Sequence, residues 1–173
     1  MTGNNPTDRS KLGTKRHILT DKNGIPLSAV ITSASTHDIK AVTDVIDNSV
    51  IKRSFELTFS KKKTRKQNRH QQQQQHLCLD RAYNSKSTEN EIINRDYVPH
   101  IPYKRKRGQL KEERTNKKQY SYAKNKRWVV ERTNSWHNRF RKLFTRYEKK
   151  VENYLGLVQL SCSIIIYRKI ILG

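Results

Sequence analysis

The stretch KRHILTDKNGIPLSAVIT (residues 15–32) leaves the chain few choices. Asn23-Gly24 between two strand-like runs is a strong hairpin signal. Strands are predicted over 15–20 and 25–32, and period two puts Ile25, Leu27, Ala29 and Ile31 on one face. STHDIKAVTDVIDN follows, with Ser35, Thr36 and Asp38 available as N-caps and Ile39, Val42 and Ile46 at helical spacing. A helix is predicted over 38–48, so the opening reads strand, strand, helix.

Residues 60–76, SKKKTRKQNRHQQQQQH, are basic and then glutamine-rich, with nothing to bury. They are expected to form a flexible loop whose basic part is available to phosphates, although charge blocks usually stay solvated. HLCLDRAYNSKS then sets a short apolar run, Leu77, Cys78 and Leu79, against Asp80. A strand ending on a carboxylate is predicted, and an unpaired buried carboxylate is costly. A helix is expected from Ser87 or Thr88, with Glu89 and Glu91 in its first turns, where the helix dipole favours acids. YVPHIPY reads as a strand whose Pro99 and Pro102 mark an edge or an irregular end. Residues 104–126 form a basic insertion that includes Lys104, Arg105, Lys106 and Arg107, with Tyr120 and Tyr122 interleaved. That mixture suits backbone contact and base stacking, and equally a mobile surface loop.

From about Lys126 the period becomes helical. Val129, Thr133, Trp136, Phe140, Leu143 and Tyr147 make one stripe fit for burial. Glu131 lies about 200° around the helix from Val129 and points away from that stripe. Arg127, Arg132, Arg139, Arg141, Lys142 and Arg146 occupy the other faces. A second helix, roughly 151–171, closes the chain. Its apolar run is interrupted by Gln159, Arg168 and Lys169, which favours a packed helix over a membrane span.

Charge narrows the function classes. The 173 residues, enough for a single domain, carry 37 Lys plus Arg against 15 Asp plus Glu, a formal charge of +22. Such an excess calls for a polyanion, most simply nucleic acid. Two cysteines without paired spacing argue against a disulfide framework or a zinc site and fit a reducing cytoplasm. The N-terminus has no apolar stretch of the secretory kind.

Three blocks in this order carry a resemblance: TGNNPTDRSKLGTKRHILTDKNGIPLSAVITSASTHD, LCLDRAYNS and RWVVERTNSWHNRFRKLFTRYEK. They resemble the catalytic domain of bacterial insertion-sequence transposases, the group called insertion-sequence family five. The resemblance implies an α/β fold, a ribonuclease H-like mixed sheet flanked by helices, and DDE chemistry. Three carboxylates, Asp, Asp and Glu, would hold two Mg²⁺ ions, or Mn²⁺ in their place. Asp80-Arg81-Ala82-Tyr83 matches the family's second Asp, and Glu131, four residues after Arg127, matches its final Glu. The related signature also asks for a Tyr and a Lys seven residues to either side of that Glu. Lys124 and Asn138 stand there, and no role is carried to them. The chemistry explains the pattern, because Mg²⁺ prefers oxygen ligands. Two such ions about 3.5–4 Å apart can activate an attacking oxygen and steady a leaving one.

Plainer readings stand beside these. Asp80 could cap the helix that follows or pair with Arg81, and Glu131 could pair with Arg127 on the helix surface, where such pairs contribute only about 0.3–0.5 kcal/mol. His37-Asp38 is better read as a helix cap than as a metal pair. Tyr83 is expected to pack beneath the site, and Trp136 to join the core stripe. The family's first Asp has no counterpart: Asp8 and Asp21 are poor substitutes, and the strand that carries it belongs upstream of TGNNPTDR. The expectation is therefore a sheet lacking its first strand, between the hairpin and the Asp80 strand. The chain would be a truncated product or a second reading frame, weak or inactive alone. Implied partners are DNA at the element ends and target, and a homo-oligomer or a complex with the upstream transposase fragment. Implied surroundings are the bacterial cytoplasm and nucleoid, without a membrane. The competing classes are a non-catalytic DNA-binding remnant or inhibitor, and a nuclease that cuts without joining.

Overall fold

The computed structural model describes residues 2–6, 8–51, 75–102, 126 and 128–173. The predicted hairpin is present: β2 (Leu12–Thr20) pairs antiparallel with β3 (Pro26–Ser33). Its turn is wider than two residues. The Asp21 N–H donates to the Ile25 carbonyl, and Asp21 Oδ1 accepts the N–H groups of Asn23 and Ile25. Gly24 takes φ 82°, a conformation open to glycine because it has no Cβ. A short strand, β1 (Gly3–Asn4), joins Leu12 and Gly13 on the side of β2 away from β3.

Both faces of the hairpin are covered. Ala29 and Ile31 pack, as their period suggested, on Tyr154 and Val158 of the C-terminal helix α5 (Val151–Ile170). Leu19 faces the other way, into a cluster built on Val42 and Ile46 of α1 (Val42–Asp47). Ser28, opposite Leu19 in register, is buried on that face. A 3-10 turn (Asp38–Ala41) precedes α1, and the cap is neither Ser35, Thr36 nor Asp38. The His37 ring nitrogen accepts the Ile39 N–H at 3.4 Å. Asp38 instead takes an ion pair from Lys15 at 2.8 Å.

The second half is a β-α-β unit: β4 (Gln75–Cys78), α2 (Lys86–Ile93) and β5 (Tyr97–His100), with the strands parallel. Strand β4 already contains Gln75 and His76, so the loop expected through 76 ends earlier; residues 60–74 lie outside the described residues. Ser85, rather than Ser87 or Thr88, caps α2, its Oγ accepting the Thr88 N–H at 3.1 Å. The Leu79 N–H donates to the His100 carbonyl, which fixes the alternation of the ladder. Leu77 and Leu79 turn their backbone groups to β5, and Pro99 turns its nitrogen to the outer edge, where no donor is needed.

The long helix expected from 126 is two helices. Helix α3 (Trp128–Asn138) stops, Phe140 takes an extended conformation, and α4 (Arg141–Phe144) follows. No glycine or proline announces this break. It turns Phe140 and Leu143 onto Tyr154 and Val158, and the Tyr154 hydroxyl donates to the Leu143 carbonyl at 3.3 Å. Val129, Thr133 and Leu143 are buried as the stripe required, but Tyr147 lies beyond the break and is exposed. Helix α5 spans nearly its predicted range. Among the described residues no helix is long and apolar enough to cross a membrane. The strands form a mixed α/β fold, but in two sheets, β1-β2-β3 and β4-β5, rather than the single sheet expected.

Candidate functional site

The two sheets face each other across a cleft of about 820 Å³. Its side walls are strand edges. Gly13, whose carbonyl accepts the Ala34 N–H, directs its backbone toward β3. By the alternation of an antiparallel ladder, Thr14, Arg16 and Ile18 direct theirs away from β3, into the cleft. On the opposite wall His76 and Cys78 direct theirs away from β5, also into the cleft. Among the described residues β1 covers only Leu12 and Gly13 of the first edge, and no strand pairs with Thr14 to Ile18 or with His76 to Cys78 on their cleft sides. Ala41 of the 3-10 turn and Val42, Val45 and Ile46 of helix α1 close the cleft, and α3 closes it with Val129 and Val130.

Asp80 and Glu131, far apart in sequence, both line this cleft. Both are exposed. That corrects the view of Asp80 as a buried carboxylate needing a neutralising partner: the strand ends at Cys78, and Asp80 lies in open cleft. Its Oδ1 accepts the Arg81 N–H at 2.6 Å, the cap of a one-turn 3-10 helix (Arg81–Tyr83). The helix that follows, α2, is capped by Ser85 instead, so the capping role suggested for Asp80 holds only for this single turn. Tyr83 packs below, against the α1 cluster. Burial, then the nearby charges of Asp38 and Asp80, push its hydroxyl up to about 12. It stays protonated and is no base.

Glu131 is held in place by the other side of α3. The Thr133 hydroxyl donates to the Gly24 carbonyl at 2.7 Å and Arg132 donates to the Asn23 carbonyl at 2.5 Å, which docks the hairpin turn on the helix. Arg132 also lies between Trp128 and Trp136, at 4.5 and 5.1 Å from their ring centres. Its guanidinium is engaged with its own chain. Arg139, Arg141 and Lys142 are exposed at the far end of α3 and on α4. Lys104, Arg105, Lys106, Arg107 and Arg127 lie outside the described residues. Arg146 is tied inward to Thr14 and to the Glu148 carbonyl.

Sequence reasoning missed three cleft residues. Lys15 and Arg16 line it from β2, and Asp38, bound to Lys15, joins Asp21, Asp80 and Glu131 among the acids on its walls. Only the pairing register reveals which hairpin residues face the cleft, and register is not written in any motif. Among the described residues no three His, Cys, Asp or Glu side chains come together as a metal-binding group.

Comparison with known proteins agrees with the blocks read above. Residues 2–166 match the transposase DDE domain family. A putative transposase for insertion sequence element IS402 from Burkholderia cepacia is 31% identical over 164 residues, covering 95% of this chain and 67% of that protein. No solved structure matches. With its family pattern running almost end to end, the chain belongs to the DDE transposases of insertion sequences.

Proposed function

We propose that this chain is the catalytic domain of an insertion-sequence transposase that cleaves and rejoins phosphodiester bonds of DNA, with Asp80 and Glu131 as two of its three metal-holding carboxylates. The observation that carries this reading is the presence of both acids on the walls of one cleft in a chain of charge +22. Their oxygens suit Mg²⁺, or Mn²⁺, in kind. In number they fall one carboxylate short of the family's three, and among the described residues no three His, Cys, Asp or Glu side chains come together to hold an ion. Bound divalent ions would stabilise charge on a leaving oxygen and activate an attacking one. The chain's own part is to hold the donors on rigid elements: Asp80 just past β4, and Glu131 on a helix docked to the hairpin turn. Arg139, Arg141 and Lys142, with Arg127 and Lys104 to Arg107 of the sequence reading, would hold backbone phosphates, which position DNA without reading its sequence.

The same reading includes a ribonuclease H-like sheet completed by one more strand. Its support is the pair of edges, Thr14 to Ile18 and His76 to Cys78, that offer backbone groups to a shared gap. A strand laid there could bond to both, join the sheets and bring an Asp beside Asp80.

The test is cleavage of labelled element ends in Mg²⁺. Residues 1–173 alone should bind DNA and cut weakly or not at all. Joined to an Asp-bearing strand segment they should cut and join, and lose both with Asp80→Asn or Glu131→Gln. An extended, folded chain that stays inert with both acids intact would sink the metal reading and leave the non-catalytic binder. Cutting without any joined product would make the protein a nuclease.

A further inference from the structure

Helix α5 has two apolar faces, and the fold uses one. Tyr154, Val158, Ser161 and Ile165 are buried, at steps of four, three and four. On the reverse side Gly156, Leu160, Ser163, Tyr167 and Ile170 recur at steps of four, three, four and three, and all are exposed. Leu160 is 57% exposed and Tyr167 54%, and Ile171 extends the stripe just past the helix. This spacing is that of a helix–helix seam. None of the chain's 37 Lys and Arg lies on it, although a surface of charge +22 repels a second copy almost anywhere else.

We propose that this face of α5 pairs with the same face of a second copy, antiparallel, about a two-fold axis beside Ser163. Shape selects the direction. An antiparallel pair sets Leu160 against the second copy's Tyr167. It sets Gly156, where nothing lies within 4 Å of a Cβ position, against the second copy's Ile170 and Ile171. Small meets large at both ends, as an isologous contact requires. A parallel pair would stack glycine on glycine, leaving a gap, and would crowd Arg168 and Lys169 of the two chains together. The antiparallel pair instead brings Glu152 to the helix end that carries them, and opposes the two helix dipoles favourably. The stripe runs about 22 Å at the rise of an α-helix. It would bury on the order of 1,000 Å², the low end for a specific interface, so the dimer should be reversible and micromolar.

Sedimentation velocity without DNA or metal, from about 1 to 100 µM, should show wild-type monomers giving way to dimers. Tyr167→Glu should weaken association by about tenfold or more with the circular dichroism spectrum unchanged. Leu160→Lys serves the same purpose if the first variant misfolds. Under mild oxidation Ser163→Cys should cross-link well above the wild-type background of Cys78 and Cys162, and Gly156→Cys should not. A protein that stays monomeric throughout overturns the proposal. So does cross-linking of Gly156→Cys as readily as Ser163→Cys, which would mean a parallel pair. So does binding to anionic lipid vesicles, lost in Tyr167→Glu, in place of self-association.

Discussion

His137 is fully buried between α3 and α5. Its Nδ1 lies 2.7 Å from Ser161 Oγ, and Cys162 Sγ lies 3.8 Å from its Nε2. Ser161 donates its own proton to the Val158 carbonyl, so the imidazole is the donor at Nδ1. Burial, helped by the charge of Arg16, pushes its pKa down from 6.5 to about 4. The unfolded chain therefore binds a proton that the folded chain refuses, wherever pH lies between those values. His137's contribution is fully present above pH 6.5 and is lost as pH falls toward 4. At ~1.4 kcal/mol per pH unit it comes to about 3 kcal/mol across the window. His137→Phe removes the titration and leaves Ser161 bonded to Val158. It should cost about 1 kcal/mol at neutral pH for the lost hydrogen bond and flatten the acid limb. Urea unfolding in small pH steps from 7.5 to about 4.5, wild type against variant, measures the difference directly. The pKa of His17 is also lowered, chiefly by burial, but it is present in both proteins and cancels. If the two stabilities fall in parallel below pH 6.5, the buried neutral imidazole is not what makes this fold sensitive to acid.

Gly24→Ala places a Cβ 2.9 Å from Thr133 Oγ1 at a φ of 82°. It should destabilise by roughly 1–3 kcal/mol, loosen the hairpin from α3, and lower any cleavage by the strand-completed chain more than its melting temperature alone predicts. Arg95 grips Asp47 with two nitrogens at 2.7 and 2.8 Å and Glu91 with a third, linking α1 to α2 at the surface. Arg95→Ala should cost about 1 kcal/mol or less, and thermal melts in high salt should narrow the gap between variant and wild type.

Much of this was legible because local chemistry and tertiary packing agree. The Asn23-Gly24 turn, the Val42 and Ile46 stripe and the apolar period of α5 each mark an element by composition, and each element forms. The misses share a cause in long-range packing. Nothing in RWVVERTNSWHNRFRKLF breaks a helix, yet the chain turns at Phe140 because Leu143 and Phe140 have a partner surface on α5. His137 sits between stripe positions and reads as polar surface. It is buried because Ser161, 24 residues later, supplies an acceptor. Asp80 reads as the acid that ends a strand, but the strand stops at Cys78 and Asp80 caps the turn beyond it, exposed in the cleft.

That exposure changes how the site must be tested. The buried clusters are built on Ile31, Leu143, Tyr154 and Val158, and on Val42, Ile46, Leu77 and Ile92, the second of which borders the cleft. Asp80 and Glu131 belong to neither, and an exposed carboxylate incurs little desolvation cost. Asp80 serves the fold through the 2.6 Å cap on Arg81. Asparagine fills a cap about as well as aspartate. Asp80→Asn should therefore unfold within about 0.5 kcal/mol of wild type while removing the charge a divalent ion needs. If cleavage by the strand-completed chain disappears and stability does not move, the carboxylate serves chemistry. If stability drops by the cost of a lost cap and activity drops only in proportion, Asp80 is architecture, and the metal would have to be held without it.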